Sequence, residues 1–178
     1  MSGSKCLIAY YSRAGQNYVG GDIVDLPVGN TEVVAKMIQA ATGGDLFEID
    51  TVTPYPAGYH DTTDVARVEL REQARPALRD LPPAIDGYDV VFLGYPNWWG
   101  TPPMAVFTFL EAFDFSGKMI LPFCTNEGSG MGRSERDIAA ACPSATVLKG
   151  LAITGGSVRS AEPAVRGWVE AAGLTLRP

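Results

Sequence analysis

The sequence predicts an α/β fold built on a parallel sheet, and three observations carry that prediction. Short apolar runs at residues 6–11, 46–49, 90–94, 119–124 and 145–153 are separated by stretches with helical spacing. The runs are continuous rather than alternating, as in strands that are covered on both faces. Strand and helix then alternate along the chain, the order produced by right-handed crossovers between parallel strands.

Residues 6–11 open the sheet, and residues 31–41 place Val34, Met37, Ile38 and Ala41 at helical spacing. Asn30 stands where it could cap that helix. Between the two lies 16–29, an insertion with Gly20-Gly21, Ile23-Val24 and Pro27, which fits a short hairpin. Residues 62–77 set Val65, Val68 and Leu70 among charges, with Pro76 marking the helix end. Residues 103–113 carry Val106, Phe109, Leu110 and Phe113. A helix over 134–141 opens on Ser134 and Asp137, in the pattern of a capping box. The last helix, 160–172, holds Val165, Trp168 and Val169 and stops at Gly173. The fifth apolar run, 145–153, is interrupted and shorter than its span. No repeat or low-complexity linker divides the chain, so residues 1–178 read as a single domain, with Met1-Ser2-Gly3-Ser4 flexible in composition.

Hydrophobic residues make up 46% and charged residues 19%, enough apolar surface for a core. The formal net charge of −6 repels phosphodiester backbones, which argues against nucleic acid as a partner; acidity of this size commonly serves solubility alone, and it would also suit a basic docking face on a partner protein. The three cysteines, Cys6, Cys124 and Cys142, form no Cys-x-x-Cys pair, and two fall in apolar runs; this fits a reduced, cytoplasmic protein and no metal site. His60 is the single histidine and reads as a solvated loop residue. No stretch reaches the roughly 20 apolar residues of a membrane span, and no signal peptide precedes the first strand.

In an open parallel sheet, ligands sit beyond the carboxyl ends of the strands, where strand order reverses. Three loops expected there have unusual compositions. The first is Ser12-Arg13-Ala14-Gly15, resumed by Gly29-Asn30-Thr31 at a helix start. Hydroxyls, small residues and free N–H groups at a helix N-terminus suit a phosphate, and the absence of Gly-Lys-Ser/Thr disfavours NTP hydrolysis. The second is Tyr95-Pro96-Asn97-Trp98-Trp99-Gly100-Thr101. Core packing could cover one indole and a planar ligand the other, and Gly100 lets backbone approach a ring. The third, Thr125-Asn126-Glu127-Gly128-Ser129-Gly130, can donate backbone hydrogen bonds to a ring edge. Phosphate, polar linker and flat heterocycle together describe a mononucleotide.

At these residues the sequence resembles the flavodoxin family. Ser12-Arg13-Ala14 with Gly29-Asn30-Thr31 resembles the family's Ser-x-Thr-Gly-Asn-Thr phosphate loop, split by the insertion and with Ala14 in place of a hydroxyl residue. Residues 94–100 and 122–130 resemble its two isoalloxazine loops, and the likeness runs from Lys5 to about Gly173. The resemblance implies a three-layer sandwich, a five-stranded parallel sheet of order 2-1-3-4-5 of the short-chain type, and FMN as cofactor. It places Ser12, Arg13, Ala14, Asn30 and Thr31 at the phosphate. Pro96, Asn97, Trp98, Trp99 and Gly100 would line the ring, with Trp98 or Trp99 stacked on it and a carbonyl of the Trp99-Gly100 turn aimed at N5. Thr125, Asn126, Glu127, Gly128, Ser129 and Gly130 would meet the pyrimidine edge. The implied function is electron transfer between a reductase and an acceptor protein, with no catalytic side chain of its own. The alternative on the same fold is an FMN-dependent NAD(P)H:quinone or nitro-compound reductase. A receiver-type signalling module would need an Asp after the third strand, where Tyr95-Pro96-Asn97 stands instead.

Overall fold

The computed structural model describes residues 3–178; Met1 and Ser2 of the expected N-terminal tail lie outside the described residues. The chain runs β1 (Cys6–Tyr10), β2 (Gly15–Val19), β3 (Asp22–Leu26), α1 (Asn30–Thr42), β4 (Asp45–Glu48), α2 (Tyr59–Glu72), β5 (Val90–Pro96), α3 (Met104–Glu111), β6 (Met119–Asn126), α4 (Ser134–Ala141), β7 (Thr146–Val147), β8 (Leu151–Thr154) and α5 (Glu162–Ala171). The main sheet is parallel throughout, in the order β4-β1-β5-β6, with β7 and β8 both on the free edge of β6. In terms of the predicted strands this is the order 2-1-3-4-5, with the fifth position filled by two short pieces. β7 pairs with Met119 and Ile120 and β8 with residues 123–126, so the ladder breaks opposite Leu121 and Pro122. Pro122 has no N–H to give, and the Gly150 amide turns instead to the Glu135 carboxylate at 2.6 Å.

Successive side chains of β1 face opposite ways, as the period of a strand requires. Leu7, Ala9 and Tyr11 pack with Val91, Leu93, Val106, Phe109 and Ile138 under α3 and α4. Cys6, Ile8 and Tyr10 pack with Val34, Ile38, Phe92, Phe123, Val165 and Val169 under α1 and α5. Each such fully buried aliphatic or aromatic side chain stabilises the fold by roughly 1.5–3 kcal/mol relative to exposure. The three layers are therefore two helical layers on one sheet. All carboxyl ends of β1, β4, β5 and β6 fall on one edge.

Several local expectations are corrected. α2 ends at Gln73, which adopts left-handed backbone (φ 51°), well before Pro76. Asn30 is the first residue of α1 rather than its cap, and no capping box forms at α4. The Ser134 hydroxyl donates to the Met131 carbonyl at 2.6 Å and accepts from the Tyr95 hydroxyl at 2.8 Å. Both replacements come from residues distant in sequence or on the preceding turn, which local patterns do not reveal. The insertion forms the antiparallel pair β2–β3, turned at Gly20 and Gly21, both with positive φ as a tight two-residue hairpin turn needs.

Candidate cofactor cleft

The loops after β1, β5 and β6 meet in one cleft at the carboxyl edge. Ser12 and Arg13 leave β1 and press against Gly29, where an added Cβ would lie 2.6 Å from the Arg13 carbonyl oxygen. The hairpin therefore leaves and rejoins the chain at nearly one point, and the two halves of the split loop are adjacent. The Ser12 hydroxyl accepts the Glu32 N–H at 3.1 Å, so it caps α1 from the neighbouring loop. The amides of Asn30 and Thr31, which lead α1, have no carbonyl a turn behind them.

One chamber of ≈ 250 Å³ lies between Arg13, Asn30 and Thr31 on one side and Pro96, Asn97, Thr125, Asn126 and Ser129 on the other. It shares Arg13, Asn17, Tyr59, Asn97 and Trp98 with a second chamber of ≈ 330 Å³ toward α2, which is also lined by Thr62, Thr63, Ala66 and Trp99. The first is the more polar at its walls and the second is floored by aromatic rings. Arg13, the one cation lining both chambers, donates to the carbonyls of Ala57 at 2.9 Å and Gln16 at 3.3 Å.

Asn97 joins the aromatic and glycine-rich loops. Its amide group donates to the Gly130 carbonyl and its side-chain oxygen accepts the Gly100 N–H, both at 2.8 Å; its backbone N–H donates to the Thr125 carbonyl at 2.9 Å. Trp98 meets Tyr11 and Tyr55 edge-on, with ring centroids 5.3 and 5.1 Å away. It is the indole that core packing holds. Trp99 stands at the rim, 47% exposed, with left-handed backbone (φ 58°), its indole N–H on the Thr63 carbonyl at 3.0 Å and Arg67 over its ring. Asn126 receives the amides of Gly128 at 2.9 Å and Gly130 at 3.1 Å, which curls the third loop onto itself.

Not every expected residue is free for a ligand. The Thr31 hydroxyl is buried against the Thr125 hydroxyl at 2.8 Å, so both stiffen the floor. Ser12, Ala14, Gly100, Gly128 and Gly130 line neither chamber, and the Ser12 hydroxyl is taken by the Glu32 N–H. The carbonyls of Trp99 and Gly100, one of which was expected to meet N5, both accept from Arg133, at 3.3 and 2.8 Å. Glu127 lines the first chamber, but its carboxylate accepts the amides of Gly20 at 2.9 Å and Gly155 at 3.0 Å. Sequence reading missed Asn17, Tyr18, Thr62, Thr63 and Ala66 as lining residues and left Tyr59 without a role. Tyr18 and Tyr59 stack across the mouth, centroids 6.1 Å apart. Tyr18 in the insertion and Tyr59 at the start of α2 are far apart in sequence, and only the hairpin's path brings them together.

Among the described residues, no cysteine lines either chamber. Burial pushes the thiols of Cys6 and Cys142 up to about 11 and that of Cys124 up to about 12, so all stay protonated near neutrality. Burial and the Glu127 charge also raise Tyr59, after the neighbouring Tyr18. His60 is exposed and lines neither chamber.

A parallel sheet with helices on both faces and a cleft at its switch point defines an α/β protein of the doubly wound class, with the cleft where such proteins bind ligands. A flavodoxin family model (Flavodoxin) matches residues 25–172, and the chain belongs to the flavodoxin family. It is similar to a candidate flavoprotein from Bacteroides eggerthii, 31% identical over 97% of this chain and 99% of that one, with a TM-score of 0.79. It is 29% identical over 99 residues to flavodoxin 1 of Salmonella typhimurium (strain LT2), a match that takes in 53% of this chain and 42% of that protein's length. Its fold is also that of a flavoprotein from Lactobacillus acidophilus solved in complex with FMN, 20% identical, covering 88% of this chain and 97% of that one, with a TM-score of 0.63.

Proposed function

We propose that this chain holds one FMN in the cleft and passes electrons between partner proteins. The observation that carries the reading is the convergence of three loops on one cleft with a polar end and an aromatic end. The residues fit such a group: Arg13, with the free amides of Asn30 and Thr31, faces a phosphate, while Asn97, Asn126 and Ser129 offer polar contacts along the middle. Trp98 and Tyr59 give flat walls common to both chambers. Bound there, the flavin supplies the redox chemistry, and the protein supplies binding, orientation and electrostatics.

The chain's own groups bind and exclude water; the Glu127 carboxylate is engaged with the amides of Gly20 and Gly155, and the three thiols are buried. A net charge of −6 favours a reductase and an acceptor that dock through basic faces, by steering that weakens with salt.

The chamber between Trp98, Trp99 and α2 favours a second reading, in which a planar acceptor enters beside the cofactor and the chain is an NAD(P)H-dependent reductase of quinones or nitro compounds. The two readings separate in one assay. FMN-loaded protein is mixed with NADPH and a benzoquinone, and absorbance of the nicotinamide is followed. The carrier reading expects no turnover above free FMN; sustained, saturable consumption replaces it with the enzyme.

A further inference from the structure

We propose that the β2–β3 hairpin is a strap over the phosphate side of the cleft, latched by Glu127, and that it selects mononucleotide over dinucleotide flavin. The inference rests on the cleft being a flavin site and goes beyond it, by assigning cofactor specificity to a segment that interrupts the phosphate loop.

The geometry is a bridge with two anchors. At the α2 end, the Gln16 side-chain oxygen accepts the Tyr59 N–H at 2.9 Å, Tyr18 stacks on Tyr59, and Arg13 ties the hairpin's base to Ala57. At the far end, the Glu127 carboxylate joins the hairpin's turn to the loop after β8 through Gly20 and Gly155. An added Cβ at Gly155 would overlap the Glu127 carboxylate, lie 2.8 Å from the Asn30 side-chain nitrogen and touch Val19 at 3.4 Å. That one glycine therefore lets the hairpin, the latch and the head of α1 close together.

The polar chamber is bordered on this side by Arg13 at the hairpin's base, by Asn17 and Tyr18 of the strap, and by Glu127 of the latch. A flavin ending in a monophosphate fits inside that fence. A flavin whose phosphate continues into a second nucleotide must push the strap away. The remainder of the hairpin is exposed, with Tyr18 and Ile23 each at 43%, so few buried contacts oppose its lifting. A latch made of solvent-facing hydrogen bonds is weak enough to open for entry. Losing one such bond changes an equilibrium by roughly fivefold.

The carboxylate also carries a negative charge beside the chamber that would receive the phosphate, and this would act in the opposite direction. Riboflavin, which lacks the phosphate, separates the two effects.

The test compares the full-length chain with Glu127→Ala and with a variant in which residues 15–28 are removed, joining Ala14 to Gly29, whose neighbourhoods already touch. Flavin fluorescence quenching gives affinities for FMN, FAD and riboflavin, and stopped-flow dilution gives release rates. The strap predicts that wild type prefers FMN over FAD, and that Glu127→Ala releases riboflavin about three- to tenfold faster, with FMN speeded less because a charge that repels its phosphate is also removed. The deletion should narrow the FMN-to-FAD preference about tenfold or more. Should the deletion fail to fold by circular dichroism, the release rates of Glu127→Ala decide alone. Riboflavin release left unchanged overturns the latch, whatever FMN does; a preference unchanged in a folded deletion overturns the strap. A wild-type chain that binds no FMN at all fails one step earlier, at the flavin site itself.

Discussion

The two walls of the cleft are built in different ways. The wall made by the β5 and β6 loops continues strands whose side chains are fully buried, and it is cross-braced by Asn97, by Arg133 on Gly100 and by Trp98 set between Tyr11 and Tyr55. The wall made by β2–β3 has no core beneath it and hangs on the Tyr59 and Glu127 contacts. Two-stranded hairpins are marginal alone, so the second wall borrows its order from the first. The difference teaches that rigidity at this site belongs to the β5 and β6 side of the cleft, and adaptability to the hairpin side.

Amide hydrogen exchange gives the largest expected contrast. Core amides of β5 and β6 open only with the whole fold, whereas hairpin amides need a local opening. We expect the β2–β3 amides to exchange at least about a hundredfold faster than those of Val91 to Leu93. Equal protection would place the hairpin within the cooperative core and erase the comparison.

The next effect is on stability. Trp98→Ala removes an indole held edge-on by two tyrosines; because the side chain is only half-buried, the loss should be about 2–4 kcal/mol in urea unfolding. A loss well below 1 kcal/mol would mean that the ring wall is not braced from the core.

The smallest effect is a pH dependence under that wall. Tyr55, which supports Trp98, donates its hydroxyl to Glu69 at 2.7 Å, and burial raises the Glu69 carboxyl above its ordinary 4.5. The folded state therefore holds that proton more tightly than the unfolded one. The corresponding stability is present below pH 4.5 and lost as pH rises through the raised value. Glu69→Gln has no such loss, so its urea midpoint should gain on wild type across that interval. Parallel midpoints from pH 4 to 7 would contradict the assignment.

Most of the frame was legible in the sequence because parallel strands covered on both faces leave long apolar words: residues 90–94 and 119–124 became β5 and β6, each extended at its carboxyl end. Helix 134–141 kept its bounds although its expected cap did not form. What could not be read was long-range. Ser12 caps α1 only because the hairpin folds back on its own base, and Thr31 is lost to a ligand because Thr125, far along the chain, takes its hydroxyl. Glu127 was read with the ring-edge loop, yet its carboxylate serves the hairpin turn. Trp98 and Trp99 were interchangeable in sequence. The positive φ at Trp99 separates them, sending one ring inward and the other to the rim.

The account stands on the cleft being a single flavin site, and an equilibrium titration of the purified full-length chain with FMN tests it most directly. One FMN per chain, with saturable quenching of flavin fluorescence that Trp98→Ala weakens, is the predicted result. Flavin fluorescence unchanged by excess folded protein would contradict it.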